Sequence, residues 1–565
     1  MGCSSVSLLG YPVISAKQTP TFAIAKDGRV HRSGVLVPLS LRKHNNHRGL
    51  ECSSFGTSRT ASSILLDDLD SGAPAALMDN IGGIGIAKFL RGKNFFITGG
   101  TGFLAKVLIE KILRTDPDIG KIYVMVKAKD KETAIKRLQT EIVETELFKC
   151  LREIHGKDFH NFVARKLIPI TGNVREANLG IERGLANEIA DVVDIIVHAA
   201  GNTNFHERYN VAVDINTLGP FRIMNFAQSF RKLKLFLHVS TAYVNGTRRG
   251  VVLEKPFRLG DTIANELDIE TEMKLAFDFR RCADDCPSSY KDSKDIGLQR
   301  AKLHGWKDTY TFTKAMGEMF INCFRGEIPV VMIRPSIIES TLKEPFPGWI
   351  EGIRMVDPVI LQYGKGQMRS FLGDPDSIVD FIPADMVVNA MLASMAKHGG
   401  EWAAAAGMHV YHIASSMVNP LLFEDMFQFF YQHFTRSPFI DATGKSIQVK
   451  PIQFCDNMDQ YVRNVEMETY TLLQDRQGAA ASEGFLHRAR EKIAKYIIHL
   501  GRIYEPYTFY DGRFANTNTE ALLAEMSVEE RAMFQFDVRS VDWMDYFTNV
   551  HIPGFKQNVL RGSRV

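Results

Sequence analysis

The stretch Asn94–Lys106, N-F-F-I-T-G-G-T-G-F-L-A-K, constrains the fold more than any other. Asn94–Thr98 is a short apolar run rich in β-formers, which predicts a buried strand. Gly99 and Gly102 then turn the chain tightly, and from Gly102 the apolar spacing becomes helical, with Phe103, Leu104, Val107, Leu108 and Ile112 recurring at three and four. A strand, a glycine turn and a helix N-terminus make a pyrophosphate site, because free N–H groups and the positive dipole end face the phosphates. Thr98, Gly99, Thr101, Gly102, Phe103 and Leu104 are its candidate residues. A bare glycine pattern also marks ordinary βα turns, and the third position here is Ala105. The flanking strand and helix, with a second strand predicted at Lys121–Lys127, favour dinucleotide binding.

Later strands follow the same rhythm. They are predicted at Leu167–Ile170, Asp194–His198, Leu235–Val239 and Pro329–Arg334, with helical patterns between them. Lys131–Phe162 reads as an amphipathic helix followed by a polar connection. Strands alternating with helices give an α/β fold with a doubly wound parallel sheet. The second strand ends in Lys127-Ala128-Lys129, where an acidic residue would bond the ribose of NAD. Lys127 and Lys129 suit a 2′-phosphate instead, which predicts NADPH. The fourth ends in His198-Ala199-Ala200-Gly201, where Ala199 lets a flat ligand approach the backbone and His198 reads as structural.

Strand five leads into Ser240-Thr241-Ala242-Tyr243, placing hydroxyls where a nicotinamide would lie, although a plain Ser/Thr turn has the same look. The complementary Tyr-x-x-x-Lys pattern occurs at Tyr123/Lys127, Tyr290/Lys294 and Tyr310/Lys314. The first lies in a strand. The second sits in a polar stretch with flanking Pro and Gly that reads as loop. Tyr310 begins a convincing helix, on which residues four apart share a face. Tyr310/Lys314 is therefore the chosen pair, with Lys314 holding the nicotinamide ribose and lowering the pKa of Tyr310. Tyr310 then donates a proton to the oxygen that gains charge, and Thr241 supplies a second hydrogen bond. Pro335 follows the next strand and passes beside the nicotinamide.

At 565 residues the chain exceeds one ordinary domain. We divide it into residues 1–80, a reductase domain over 88–415 with a helical insertion at about 255–305 above the substrate cleft, and a mostly helical module over 420–565. A net charge of +3 with no basic stripe gives no reason to propose nucleic acid. No apolar run reaches the length of a membrane span, so any membrane contact is peripheral. The seven cysteines are scattered. Cys282 and Cys286 have no companion His or Cys to complete a zinc site, so no metal is expected. Up to Leu66 the only acids are Asp27 and Glu51, against eight spread-out Lys and Arg and frequent Ser and Thr. This composition predicts a plastid transit peptide, hence the stroma, although a merely disordered tail has the same composition.

Taken in order, T-G-G-T-G-F-L-A, V-S-T-A-Y-V-N-G, Y-T-F-T-K, I-R-P-S-I-I-E-S and the terminal W-M-D-Y-F-T-N-V-H-I-P-G make the chain resemble the alcohol-forming fatty acyl reductases. The likeness is greatest to the plastid, male-sterility type of plants within the extended short-chain dehydrogenase/reductases. It runs from about Lys88 to the C-terminus, with Lys127 and Ala515 as departures. The resemblance implies a Rossmann fold and reduction of a fatty acyl thioester, on acyl carrier protein or coenzyme A, to a primary alcohol. Two NADPH would be used, for precursors of pollen-wall lipid. The alternatives are a reductase that stops at the aldehyde and a non-catalytic NADPH-binding sensor. A sensor would be expected to have lost Tyr310, Lys314 or Thr241.

Overall fold

Phe95–Thr98 forms β1, a strand buried along its whole length. The computed structural model describes residues 82–565 apart from 284–288, 401–406, 442, 475–482 and 561–565. The predicted transit peptide, residues 1–80, and Cys286 lie outside the described residues. Six more strands join β1: β2 (Ile122–Val126), β3 (Leu167–Thr171), β4 (Ile195–His198), β5 (Leu235–Val239), β6 (Val330–Pro335) and β7 (Met408–Ile413). Their order is β7-β6-β5-β4-β1-β2-β3, with every neighbouring pair parallel. Helices on both faces explain why the strands read as near-continuous apolar runs. The order reverses between β1 and β4, and the crevice beyond the carboxyl ends there is where such sheets take ligands.

After β1 the chain turns at Gly99, whose φ is +70°. A Cβ there would sit 2.6 Å from Ala200 N, so only glycine lets β1 and the β4 loop lie this close. Helix α1 (Phe103–Thr115) follows, with Gly102 at its N-cap and no side chain capping it. Its first N–H groups are thus left for a ligand.

The region 255–305 carries α2 (Ile269–Ala283) and α3 (Ser289–Leu303). The loop expected around Tyr290 is therefore helix. One buried carboxylate holds the pair together: Glu272 accepts from Tyr209 Oη at 2.6 Å and Arg300 Nε at 3.0 Å, with His304 Nε2 at 3.1 Å. The polar connection expected before Phe162 is also mostly helical, over Lys149–His155 and Phe159–Lys166, because Leu151, Phe159, Phe162 and Val163 are buried.

Helix α4 (Thr309–Phe324) starts at Asp308, whose Oδ1 accepts from Thr311 N at 2.8 Å. Buried Arg334 on β6 pairs with buried Glu318 on α4. The C-terminal region is mostly helical, with α5 (Phe423–Arg436), α6 (Met458–Gln474) and α7 (Glu483–Thr508). It also lends strands: Gln453–Cys455 pairs with Ser370–Leu372, and Gly512–Phe514 with Gly250–Val252. Among the described residues no helix is long and apolar enough to cross a membrane.

Candidate active site

The carboxyl ends of β1, β4, β5 and β6 open into a cavity of about 750 Å³. Its walls bring together Gly99, Thr101, Gly102, Phe103, Leu104, Ala199, Thr241, Tyr310, Lys314 and Pro335, ten of the residues singled out from sequence. Three others lie elsewhere. Thr98 is buried and its hydroxyl is engaged, sharing a hydrogen bond of 2.6 Å with His198 Nδ1 and accepting from Ala200 N at 3.3 Å. Lys127 and Lys129 are exposed at the end of β2 and do not line the cavity. Lys129 stands 3.6 Å from Asp130.

The glycine turn fits a dinucleotide pyrophosphate. The uncapped start of α1 faces the cavity, and Gly99 leaves the space a side chain would fill. Anions at such a terminus gain from the orphan N–H groups and from the dipole together.

Tyr310 and Lys314 lie one turn apart on α4, on the face turned to the cavity. Thr241 caps the short helix Ala242–Asn245, accepting from Tyr243 N at 3.3 Å, and its side chain lies beside the Tyr310 hydroxyl. Burial, then the nearby Asp308 carboxylate, pushes the Tyr310 hydroxyl above its ordinary range, and the neighbouring Thr241 side chain opposes them. Lys314 was expected to lower it. Instead Lys314 Nζ donates to Val239 O at 2.7 Å and meets His238 Nε2 at 3.1 Å. Burial brings Lys314 down to about 8, with the Glu318 carboxylate opposing. A tyrosine held fully protonated is still a competent acid toward an oxygen becoming alkoxide, whose conjugate acid is far weaker.

Other residues in or beside the cavity were not among those chosen from the sequence. Ser240 and Ser336, at the ends of β5 and β6, carry buried hydroxyls with no partner among the described residues. Tyr507 reaches the cavity from the end of α7 and donates to Asp308, which precedes Tyr310 by two residues. Asn216, in a π-helical turn over Val213–Thr217, holds Asn202 beside the β4 loop through bonds of 2.8 and 2.9 Å. Such turns often mark functional sites, but a single sequence carries no sign of one. The same cavity has an apolar part, lined by Val359, Phe371, Val379, Phe381, Phe423 and Met426. No described residue of the 255–305 insertion lines it.

Residues 97–391 match a family model described as male sterility protein, and residues 485–562 match a second model of that description. The chain is 50% identical over 498 residues to Fatty acyl-CoA reductase 2, chloroplastic, of Arabidopsis thaliana, covering 85% of this chain and 80% of that one. It is 38% identical over 490 residues to the Alcohol-forming fatty acyl-CoA reductase of Simmondsia chinensis, covering 84% and 99%. Among solved structures, the terminal R domain from the myxalamid PKS-NRPS pathway superposes with a TM-score of 0.52 at 17% identity, over 83% of this chain and 91% of that one. That likeness is one of fold. The family match over more than half the chain, with relatives this similar across most of their length, shows that the chain belongs to the male-sterility family of fatty acyl-CoA reductases.

Proposed function

We propose that this chain reduces a long-chain fatty acyl thioester to a primary alcohol, with NADPH as reductant and Tyr310, Lys314 and Thr241 as its catalytic residues. One observation carries the reading. A single cavity joins the glycine turn, the Tyr310–Thr241 hydroxyl pair and an apolar extension lined by Phe371, Phe381, Phe423 and Met426. Those surfaces suit a dinucleotide, a reacting carbonyl and an alkyl chain.

Thr101, Gly102 and the first N–H groups of α1 would hold the pyrophosphate, while Ala199, Pro335 and Lys314 would border the nicotinamide end. The bound nicotinamide supplies hydride. Tyr310 donates its proton to the carbonyl oxygen as negative charge gathers there, and Thr241 adds a hydrogen bond. The thioester thereby becomes a hemithioacetal, which breaks its C–S bond to give aldehyde and thiol. A second hydride and a second proton convert the aldehyde to the alcohol. Both steps place charge on the same oxygen, so one donor pair serves both. No enzyme-bound acyl group is required.

The Simmondsia relative is named as alcohol-forming, which favours the alcohol over an aldehyde end point. The Arabidopsis relative is named as chloroplastic, which supports a plastid location and, with it, acyl carrier protein beside coenzyme A as carrier. We also propose the transit peptide over residues 1–80, the domain division given above and a role in pollen-wall lipid. Purified protein supplied with NADPH or NADH and with palmitoyl thioester on either carrier tests cofactor and carrier together. Alcohol formed preferentially with NADPH supports the reading. Aldehyde as the sole end product, or a preference for NADH, contradicts the corresponding part.

A further inference from the structure

Beneath the Tyr310–Lys314 pair, three buried side chains stand in one row across the sheet. Register places Thr98 of β1 beside His198 of β4, and His198 beside His238 of β5. All three are fully buried. Thr98 Oγ1 and His198 Nδ1 share a hydrogen bond of 2.6 Å, and the two imidazole rings lie 5.0 Å apart. At the end of the row Lys314 Nζ approaches His238 Nε2 at 3.1 Å.

An ammonium offers donors only, so His238 Nε2 must be the acceptor and the ring must carry its proton on Nδ1. A protonated His238 would set two cations against each other. Burial, then the charge of Lys314, holds His238 well below its ordinary range, and burial likewise takes His198 to about 3. Lys314 Nζ has three N–H groups. Val239 O takes one and His238 Nε2 a second, leaving the third for the cavity that Lys314 lines. A four-carbon side chain is otherwise free to rotate, so two fixed acceptors are what aim that last donor.

We propose that His238 is a positioning residue for this reductase: a neutral imidazole acceptor that fixes the direction of the Lys314 ammonium, with Thr98 and His198 packed behind it. The inference rests on the reading of Lys314 as a catalytic residue. Because His238 bonds the charged form of Lys314, removing the acceptor favours the neutral amine and lowers the pH at which the lysine loses its proton.

The test is a set of variants at one position. Glutamine places an amide oxygen near where Nε2 lies, asparagine reaches only as far as Nδ1, and phenylalanine keeps the ring without an acceptor. Thermal unfolding checks that each variant folds. NADPH affinity is measured by fluorescence without substrate across pH, and kcat is measured alongside. His238→Gln is expected to stay within about threefold of wild type, whereas His238→Asn and His238→Phe lose about tenfold or more in kcat, each tenfold being one step of about 1.4 kcal/mol. Their alkaline limb, in both NADPH affinity and kcat, moves down by about one pH unit.

If His238→Phe proves unfolded, the Gln/Asn contrast decides alone. Equal behaviour of Gln and Asn, or an unmoved limb in a folded Phe variant, overturns the proposal. Lys314→Met separates the two readings. Wild-type turnover in that variant removes the role of Lys314 itself. Loss of turnover there, with His238→Asn unaffected, removes only the role of His238.

Discussion

At the scale of single residues, the account depends on hydroxyls and one ammonium held in a buried setting. Tyr310→Phe removes the proton donor and keeps the ring, so kcat should fall by about 10²–10⁴ while NADPH still binds. Fluorescence titration beside steady-state rates checks both halves. Lys314 gives a pH prediction whose sign follows from its lowered value. In the folded state it loses its proton near pH 8, about two units before an unfolded lysine would. Between those values the unfolded chain binds more protons, so the burial penalty is fully present below pH 8 and is relieved as pH rises toward the ordinary lysine range. Activity should move the other way, declining above about pH 8 as the ammonium is lost. A kcat profile flat to pH 10 would contradict this. The choice of Tyr310 over Tyr290 rested on a loop reading that the helix Ser289–Leu303 overturns, although Tyr310 and Lys314 do line the cavity, and the acceptors of Lys314 were not legible at all. Val239 O and His238 come to it through the packing of α4 on β5, which a linear sequence does not display.

Among elements, the parallel strands were the most legible, because burial on both faces leaves β1, β4 and β5 almost wholly apolar. The helix over Ser289–Leu303 was not, since a polar run next to Pro287 and containing Gly297 has the look of a loop. Its C-terminal end is tied to α2 through Arg300, and just past it His304, on Glu272. The cofactor cations drawn from Lys127 and Lys129 were a local inference from a strand end; both side chains are exposed and neither lines the cavity. Two changes test how α4 is held. Glu318→Ala leaves Arg334 charged and unpaired in the core, and should cost about 3–5 kcal/mol in urea unfolding. Gly317→Ala would place a Cβ 2.2 Å from Asn216 O, forcing α4 away from the π-helical turn. Overpacking of this kind costs about 1–3 kcal/mol. The displacement should also lower kcat, because Tyr310 and Lys314 ride on the same helix. A Gly317→Ala enzyme with normal stability and turnover would show that this contact is not needed.

For the whole molecule, the reductase sheet supplies the polar end of the cavity, and its apolar end draws on later parts of the chain. Phe423 and Met426 come from α5, and Tyr504 and Tyr507 from α7. Nothing in the sequence spacing of these side chains reveals which of them border a cavity. If this end holds the alkyl chain, Met426→Trp should shift preference toward shorter acyl groups while leaving NADPH affinity intact, read from rates across a series of acyl lengths. The central claim is that one Tyr310–Lys314 site performs two successive reductions. The most direct measurement is the stoichiometry of NADPH consumed to alcohol formed from palmitoyl thioester, by absorbance and gas chromatography, in wild type and in Tyr310→Phe. The account predicts two NADPH per alcohol in wild type, and loss of both thioester and aldehyde reduction in the variant. One NADPH per product, or a variant that still reduces added aldehyde at the wild-type rate, would contradict it.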